Sequence, residues 1–229
     1  MASLMVGFPM VLVNLKTYRE ATGEGAVRLA MVAEEVSKRT GVCVAVAPQA
    51  VDLRMVVEAT EAPVFAQHID PVGYGKYTGH VLPEAVAEAG CAGTLINHSE
   101  RRLGLEAIES TVERAREVGL LPVVCVDTVE RGRAVASFAP DAVAIEPPEL
   151  IGTGIPVSKA RPEVISGAVD AVKGIDPGVR VLCGAGITSG EDVAAAMRLG
   201  AEGVLVASGV VRAEDPFEVL LDLAEATRP

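Results

Sequence analysis

Short, nearly continuous apolar runs alternate with longer stretches of helical periodicity from one end of this chain to the other. The runs cover residues 11–14, 42–46, 64–67, 93–97, 122–126, 142–145, 179–183 and 203–206. Most lack the apolar–polar alternation of a half-exposed sheet, so they predict strands buried on both faces. Between them, apolar positions three and four apart predict helices over 25–40, 105–118, 162–173, 189–199 and 216–226. Asp52, Thr128, Ser189 and Asp215 stand where helices begin, with side-chain oxygens suited to capping. Gly41, Gly119, Gly174 and Gly200 stand where helices end.

Eight strand–helix units without a break in composition predict one α/β domain over residues 1–229, a (β/α)8 barrel. A doubly wound open sheet competes with it, but no G-x-G-x-x-G follows the first strand, which weakens the dinucleotide-binding version. The chain has 229 residues, against roughly 250 for a typical barrel. Shortened outer helices are therefore expected, around Pro83 and after Cys125, where the helical signal is weakest. Short helices leave barrel surface less covered, which favours association of copies.

Composition narrows the picture. Apolar residues make up 50% and aromatic ones 3%, with no Trp, so the core must be built from Val, Ala, Leu and Ile. Those residues fill parallel strands and narrow barrels. A net charge of -11 argues against a nucleic-acid partner, which needs a basic face. An anionic small substrate would have to be held by local positive potential. Cys43, Cys91, Cys125 and Cys183 lie far apart, and His68, His80 and His98 have no ligand-like spacing with them. Neither a metal site nor a disulfide framework is expected, and free thiols suit a reducing compartment. The N-terminal apolar stretch is interrupted by Gly7 and Pro9 and lacks a basic start, so a cytoplasmic protein without membrane segments is expected.

In such a barrel chemistry gathers where the strands end. Those positions carry Asn14 and Lys16, Gln67 and His68, Asn97, His98 and Glu100, Glu146, Gly184 to Gly186, and Ala207 to Gly209. Glu146 opens a loop containing Pro147, Pro148, Gly152 and Gly154, as a base beneath a closing lid would. A charged strand end in a structural loop would read the same way by itself. Lys16 either snorkels to solvent or holds an anion. His98, between Asn97 and Ser99-Glu100, is placed for acid–base work, although a lone histidine is more often structural. The glycine-rich ends of the seventh and eighth runs suit phosphate bound by backbone N–H groups, with tight turns as the plainer alternative.

These residues resemble the triosephosphate isomerase family in order and placement: Asn14-Leu-Lys16, His98-Ser-Glu100-Arg, Glu146-Pro and Ile151-Gly-Thr-Gly154. Ala66-Gln67 and Tyr77-Thr-Gly79 look similar to that family's third loop, and the short length with Glu146-Pro-Pro-Glu-Leu-Ile-Gly resembles its archaeal-type branch. The resemblance implies cofactor-free interconversion of dihydroxyacetone phosphate and D-glyceraldehyde 3-phosphate through an enediolate, a step of glycolysis and gluconeogenesis. It implies Glu146 as carbon base, His98 as electrophile and proton shuttle, Lys16 and Asn14 as charge and hydrogen-bond donors, and Glu100 beside Lys16. Phosphate would be held by Asn14, Lys16, Ile151, Gly152, Gly186, Ala207 and Ser208, and the segment 147–154 would be the lid. It also implies a homo-oligomer, a tetramer with a dimer as the alternative, in which the loop around Thr78 reaches a neighbour.

The chain departs from the family pattern in several places. Leu15 and Glu149 stand where relatives often carry aromatics, Gly186 replaces a frequent serine, and Ala207-Ser208 replaces two glycines. Side-chain hydroxyl contacts to phosphate and the lid's packing are the features these changes affect. Another phosphate-binding barrel enzyme of the sugar-phosphate synthase type, or a catalytically silent phosphate sensor, remain the competing functions.

Overall fold

All eight apolar runs form parallel strands in the computed structural model, which describes residues 6–147 and 160–228. They are β1 Met10–Asn14, β2 Cys43–Ala47, β3 Phe65–Ala66, β4 Gly93–Ile96, β5 Leu121–Val126, β6 Ala142–Ile145, β7 Arg180–Gly184 and β8 Gly203–Val206. Hydrogen-bonded neighbours run β2-β1-β8-β7-β6-β5-β4-β3. The circle closes through a parallel bridge between Val46 and Val64 and the bond from Val46 N–H to the Pro63 carbonyl, 3.1 Å. The result is a nearly closed (β/α)8 barrel, not an open doubly wound sheet. As a regular strand β3 is shorter than its apolar run: Val64 pairs only through the bridge to Val46, and Gln67 already belongs to the loop.

Helices α1 Glu24–Thr40, α2 Leu53–Ala59, α3 Pro83–Glu88, α4 Leu105–Glu117 and α5 Val129–Ala136 follow in order. Beyond residue 160 come α6 Pro162–Lys173, α7 Gly190–Arg198, α8 Ser208–Val211 and α9 Pro216–Glu225. The expected shortening falls on α3 and α5, and α2 is short as well. Thr128, Ser189 and Asp215 cap their helices through side-chain oxygens. Asp52 does not: its Oδ2 accepts instead from the Gly23 N–H, 3.0 Å, tying the start of α2 to the start of α1.

Two apolar layers follow from the period-two geometry of the strands. Met10, Leu12, Ala45, Ala47, Phe65, Leu95, Val123, Cys125, Ala142, Ala144, Leu182 and Leu205 fill the barrel's interior. Val11, Val13, Val44, Val46, Ile96, Val124, Val143, Ile145, Val181, Val204 and Val206 face the helices, where α1 supplies Ala26, Leu29, Ala30, Ala33 and Val36. Large and small residues interlock inside. A methyl on Gly93 would lie 2.4 Å from the Phe65 ring, so the largest interior side chain needs the smallest neighbour. Among the described residues no helix is long and apolar enough to cross a membrane.

Candidate active site

The same alternation delivers the polar groups. One step past the last inward apolar residue, β1 presents Asn14, β3 Gln67, β4 Asn97, β6 Glu146 and β7 Gly184. Burying these at the interior would leave polar groups unmet, so they emerge only at the mouth. There, Asn14, Lys16, Tyr18, His98, Glu146, Gly186, Thr188, Ala207 and Ser208 line a cavity of about 310 Å³. Glu100 lies at its edge, its Oε1 2.9 Å from Lys16 Nζ. Ile151 and Gly152, expected as phosphate contacts, and the segment 148–154 of the expected lid lie outside the described residues.

Lys16 is fixed by its backbone. Its φ of 48° lies in the left-handed region, which costs a residue with a Cβ about 1 kcal/mol or more. Asn14 Oδ1 accepts from the Lys16 N–H at 3.0 Å, and Gln67 Nε2 donates to the carbonyls of Lys16 and Ala47 at 2.9 Å each. These bonds impose the turn that swings the lysine over the mouth. Asn97 repeats the device with φ 62°. Its amide donates to the Cys125 carbonyl at 2.8 Å, and its carbonyl accepts from Leu103 N–H at 2.7 Å. His98 is thereby turned from the strand's outer side toward the cavity.

His98 Nδ1 accepts from the Glu100 N–H at 3.2 Å. In the neutral ring that bond leaves the proton on Nε2, the nitrogen facing Glu146 Oε2 across 3.7 Å. Glu146 is 7% exposed, and among the described residues its Oε2 has no hydrogen-bond partner. Burial pushes its pKa above the ordinary glutamate range, opposed by the charge of His98, a hydrogen bond with Cys125 and the charge of Lys16. A carboxylate that is desolvated and has an unpartnered oxygen at a cavity is suited to taking a proton from carbon.

The wall built by the ends of β7 and β8, next to Glu146 on β6, carries small residues and amides. Ala185 and Gly186 have φ values of 69° and 72°, and the turn after β7 is held by Asp192, whose Oδ2 accepts from the N–H groups of Thr188 and Ser189 at 3.2 Å. Gly186, Ala207, Ser208 and Gly209 leave room for a tetrahedral anion near main-chain donors. Among the described residues no cluster of His, Cys, Asp and Glu is arranged to hold a metal ion.

The sequence places Gln67 and Asn97 among the strand-end candidates but gives them no role, and it singles out neither Tyr18 nor Thr188. Asn97 could have been found from the preference of asparagine for positive φ immediately before the candidate histidine. Tyr18 and Thr188 carry no sequence signal beyond their loops.

A sequence model of the family described as triosephosphate isomerase matches residues 9–226. The chain is 55% identical over 218 residues to the triosephosphate isomerase of Methanosarcina acetivorans, covering 95% of this chain and 98% of that one. It is 53% identical over 214 residues to the enzyme of that name from Methanocaldococcus jannaschii, covering 93% and 98%. Against the one from Methanothermobacter thermautotrophicus it is 55% identical over 215 residues, covering 94% of each.

Proposed function

This chain belongs to the triosephosphate isomerase family, and we propose that it interconverts dihydroxyacetone phosphate and D-glyceraldehyde 3-phosphate using Glu146 as the carbon base. The observation that carries the residue assignment is the shared cavity. Glu146, His98 and Lys16 line it with Gly186, Ala207 and Ser208, which supports a reading in which a three-carbon skeleton meets the first three and its phosphate the last three.

Glu146 removes a proton from the carbon next to the carbonyl, and its raised pKa makes the ionised form a stronger base. His98 donates from Nε2 to the carbonyl oxygen and then moves a proton between the two enediol oxygens. Lys16, assisted by Asn14, offsets the negative charge that develops there. Glu146 returns its proton to the neighbouring carbon, which completes the isomerisation without an external redox partner. Backbone amides around Gly186, Ala207 and Ser208 hold the phosphate, with Ile151 and Gly152 of the 147–154 segment closing over it. Closure excludes water, which otherwise competes for the intermediate.

The test is a coupled assay of both directions with the purified chain and with Glu146→Asp. Shortening the base by one carbon is expected to lower kcat by roughly 100-fold or more, with little change in phosphate affinity. Near-normal turnover in that variant removes Glu146 from the role.

The chain is read as one catalytic domain over 1–229 that assembles as a homo-oligomer, a tetramer in preference to a dimer. Exposed Tyr74 and Tyr77 in the loop that carries Thr78 support an interface there. A monomer in light scattering at micromolar concentration contradicts it. Four free cysteines support a reducing, cytoplasmic setting, which cell fractionation checks.

A further inference from the structure

Gly184, the last residue of β7, has no room for a side chain, and what fills that room is Glu146. A Cβ placed on Gly184 would lie 2.4 Å from Glu146 Cγ, 2.9 Å from Oε1 and 3.0 Å from Cδ, its three nearest atoms. The backbone itself does not require glycine here. Positive φ values occur at Ala185 and Gly186 but not at Gly184, which continues the ladder opposite Leu205. Glycine inside a strand is otherwise a liability, since it adds backbone entropy to the unfolded chain and packs nothing.

We propose that Gly184 is a positioning residue for the isomerisation, its missing Cβ being the space that keeps the Glu146 carboxylate aimed at the mouth. The inference rests on the reading of Glu146 as the base. Carbon atoms pack comfortably near ~3.5 Å, so a methyl at Gly184 must push Cγ by about 1 Å. His98 Nε2 stands 3.7 Å from the carboxylate on the cavity side, and Cys125 faces it from the neighbouring strand β5. On its β5 side Glu146 borders a narrow space also lined by Asn97, Ser99, Arg102 and Asp127. Movement toward it takes the carboxylate away from the cavity that Lys16 and His98 line, whereas Gly186, Ala207 and Ser208 keep their places.

Gly184→Ala is expected to lower kcat on the order of 100-fold, the effect of misplacing a reacting group by ~1 Å. KM and the affinity for inorganic phosphate should stay within about threefold, since ground-state binding is unchanged. A second measurement separates geometry from folding. Gly184→Ala should lower the thermal midpoint by several degrees when Glu146 is present, and by none in the Glu146→Ala chain, where the clashing atoms are gone. Near-native kcat, or the same loss of thermal midpoint in both backgrounds, overturns the proposal. If Glu146 is not the base, Glu146→Ala retains turnover while the thermal coupling persists, so the two failures are told apart.

Discussion

Lys16 Nζ sits 2.9 Å from Glu100 Oε1, an ion pair joining the first loop of the barrel to the fourth. The lysine side chain is 13% exposed and the glutamate's 60%, so the pair's contribution to stability is small. Its consequence is geometric: the ammonium is held over the cavity and not released to solvent. Glu100→Ala is therefore expected to lower kcat about 10- to 100-fold with an unchanged unfolding midpoint. Glu100→Gln, which keeps an acceptor oxygen, should lose less. Steady-state kinetics on both variants check the order.

Glu146 should trade stability for chemistry. Its pKa in the unfolded chain is near 4.5 and burial raises it in the folded protein. The folded state thus prefers the protonated acid, and ionisation is the destabilising event. The penalty is fully present above the folded pKa, shrinks as pH falls through that value, and is gone below 4.5. Glu146→Gln should accordingly be more stable than the native chain at pH 7. Urea titrations at descending pH should show that difference disappear as pH 4.5 is approached. If Glu146 is the proposed base, activity should have the converse dependence: kcat/KM should fall on the acid side with a midpoint above 4.5, because a base works only when ionised.

The barrel was legible because nearly every strand reads as an apolar run, and the period of two then dictates that Asn14 and Glu146 emerge at the mouth. Strand ends were less legible. β3 is only Phe65–Ala66, with Val64 held by a single bridge to Val46, a pairing effect that an apolar pattern does not contain. Asp52 illustrates the same limit, since its chemistry suits a cap but a donor from the neighbouring helix start takes its carboxylate. The supports of the site are tertiary in origin. Nothing local marks Gly184 as the residue that accommodates Glu146, which lies 38 positions earlier in the chain. Gln67 pins Lys16 across 51 positions.

Asn97 should be costly to replace although no proton transfer is assigned to it. Its side chain satisfies a buried carbonyl at Cys125 and an N–H at Leu103, and its φ of 62° suits asparagine better than most residues. Asn97→Ala is expected to destabilise the protein by about 3 kcal/mol, through two lost partners and backbone strain. Asn97→Gly relieves the strain but not the lost bonds, and should fall between. Both should lower kcat, since His98 follows directly. Chemical denaturation together with kinetics tests the ranking.

The phosphate wall should respond to charge in KM and not in kcat. Ser208 lies beside Ala207 and lines the same cavity as Glu146 from a different strand end, so a carboxylate there should oppose the substrate's phosphate while leaving the proposed base in place. Like charges at ~4 Å interact by about 4 kcal/mol at an effective dielectric constant of 20, less after screening at an open mouth. Ser208→Asp is thus expected to raise KM roughly 10- to 100-fold, because the repulsion acts equally before and during proton transfer. Ser208→Asn, similar in shape and uncharged, should shift KM far less. Raising the salt concentration should narrow the gap between the two variants. A fall in kcat at unchanged KM in Ser208→Asp would mean that the phosphate binds elsewhere, and that Ser208 acts on the carbon skeleton.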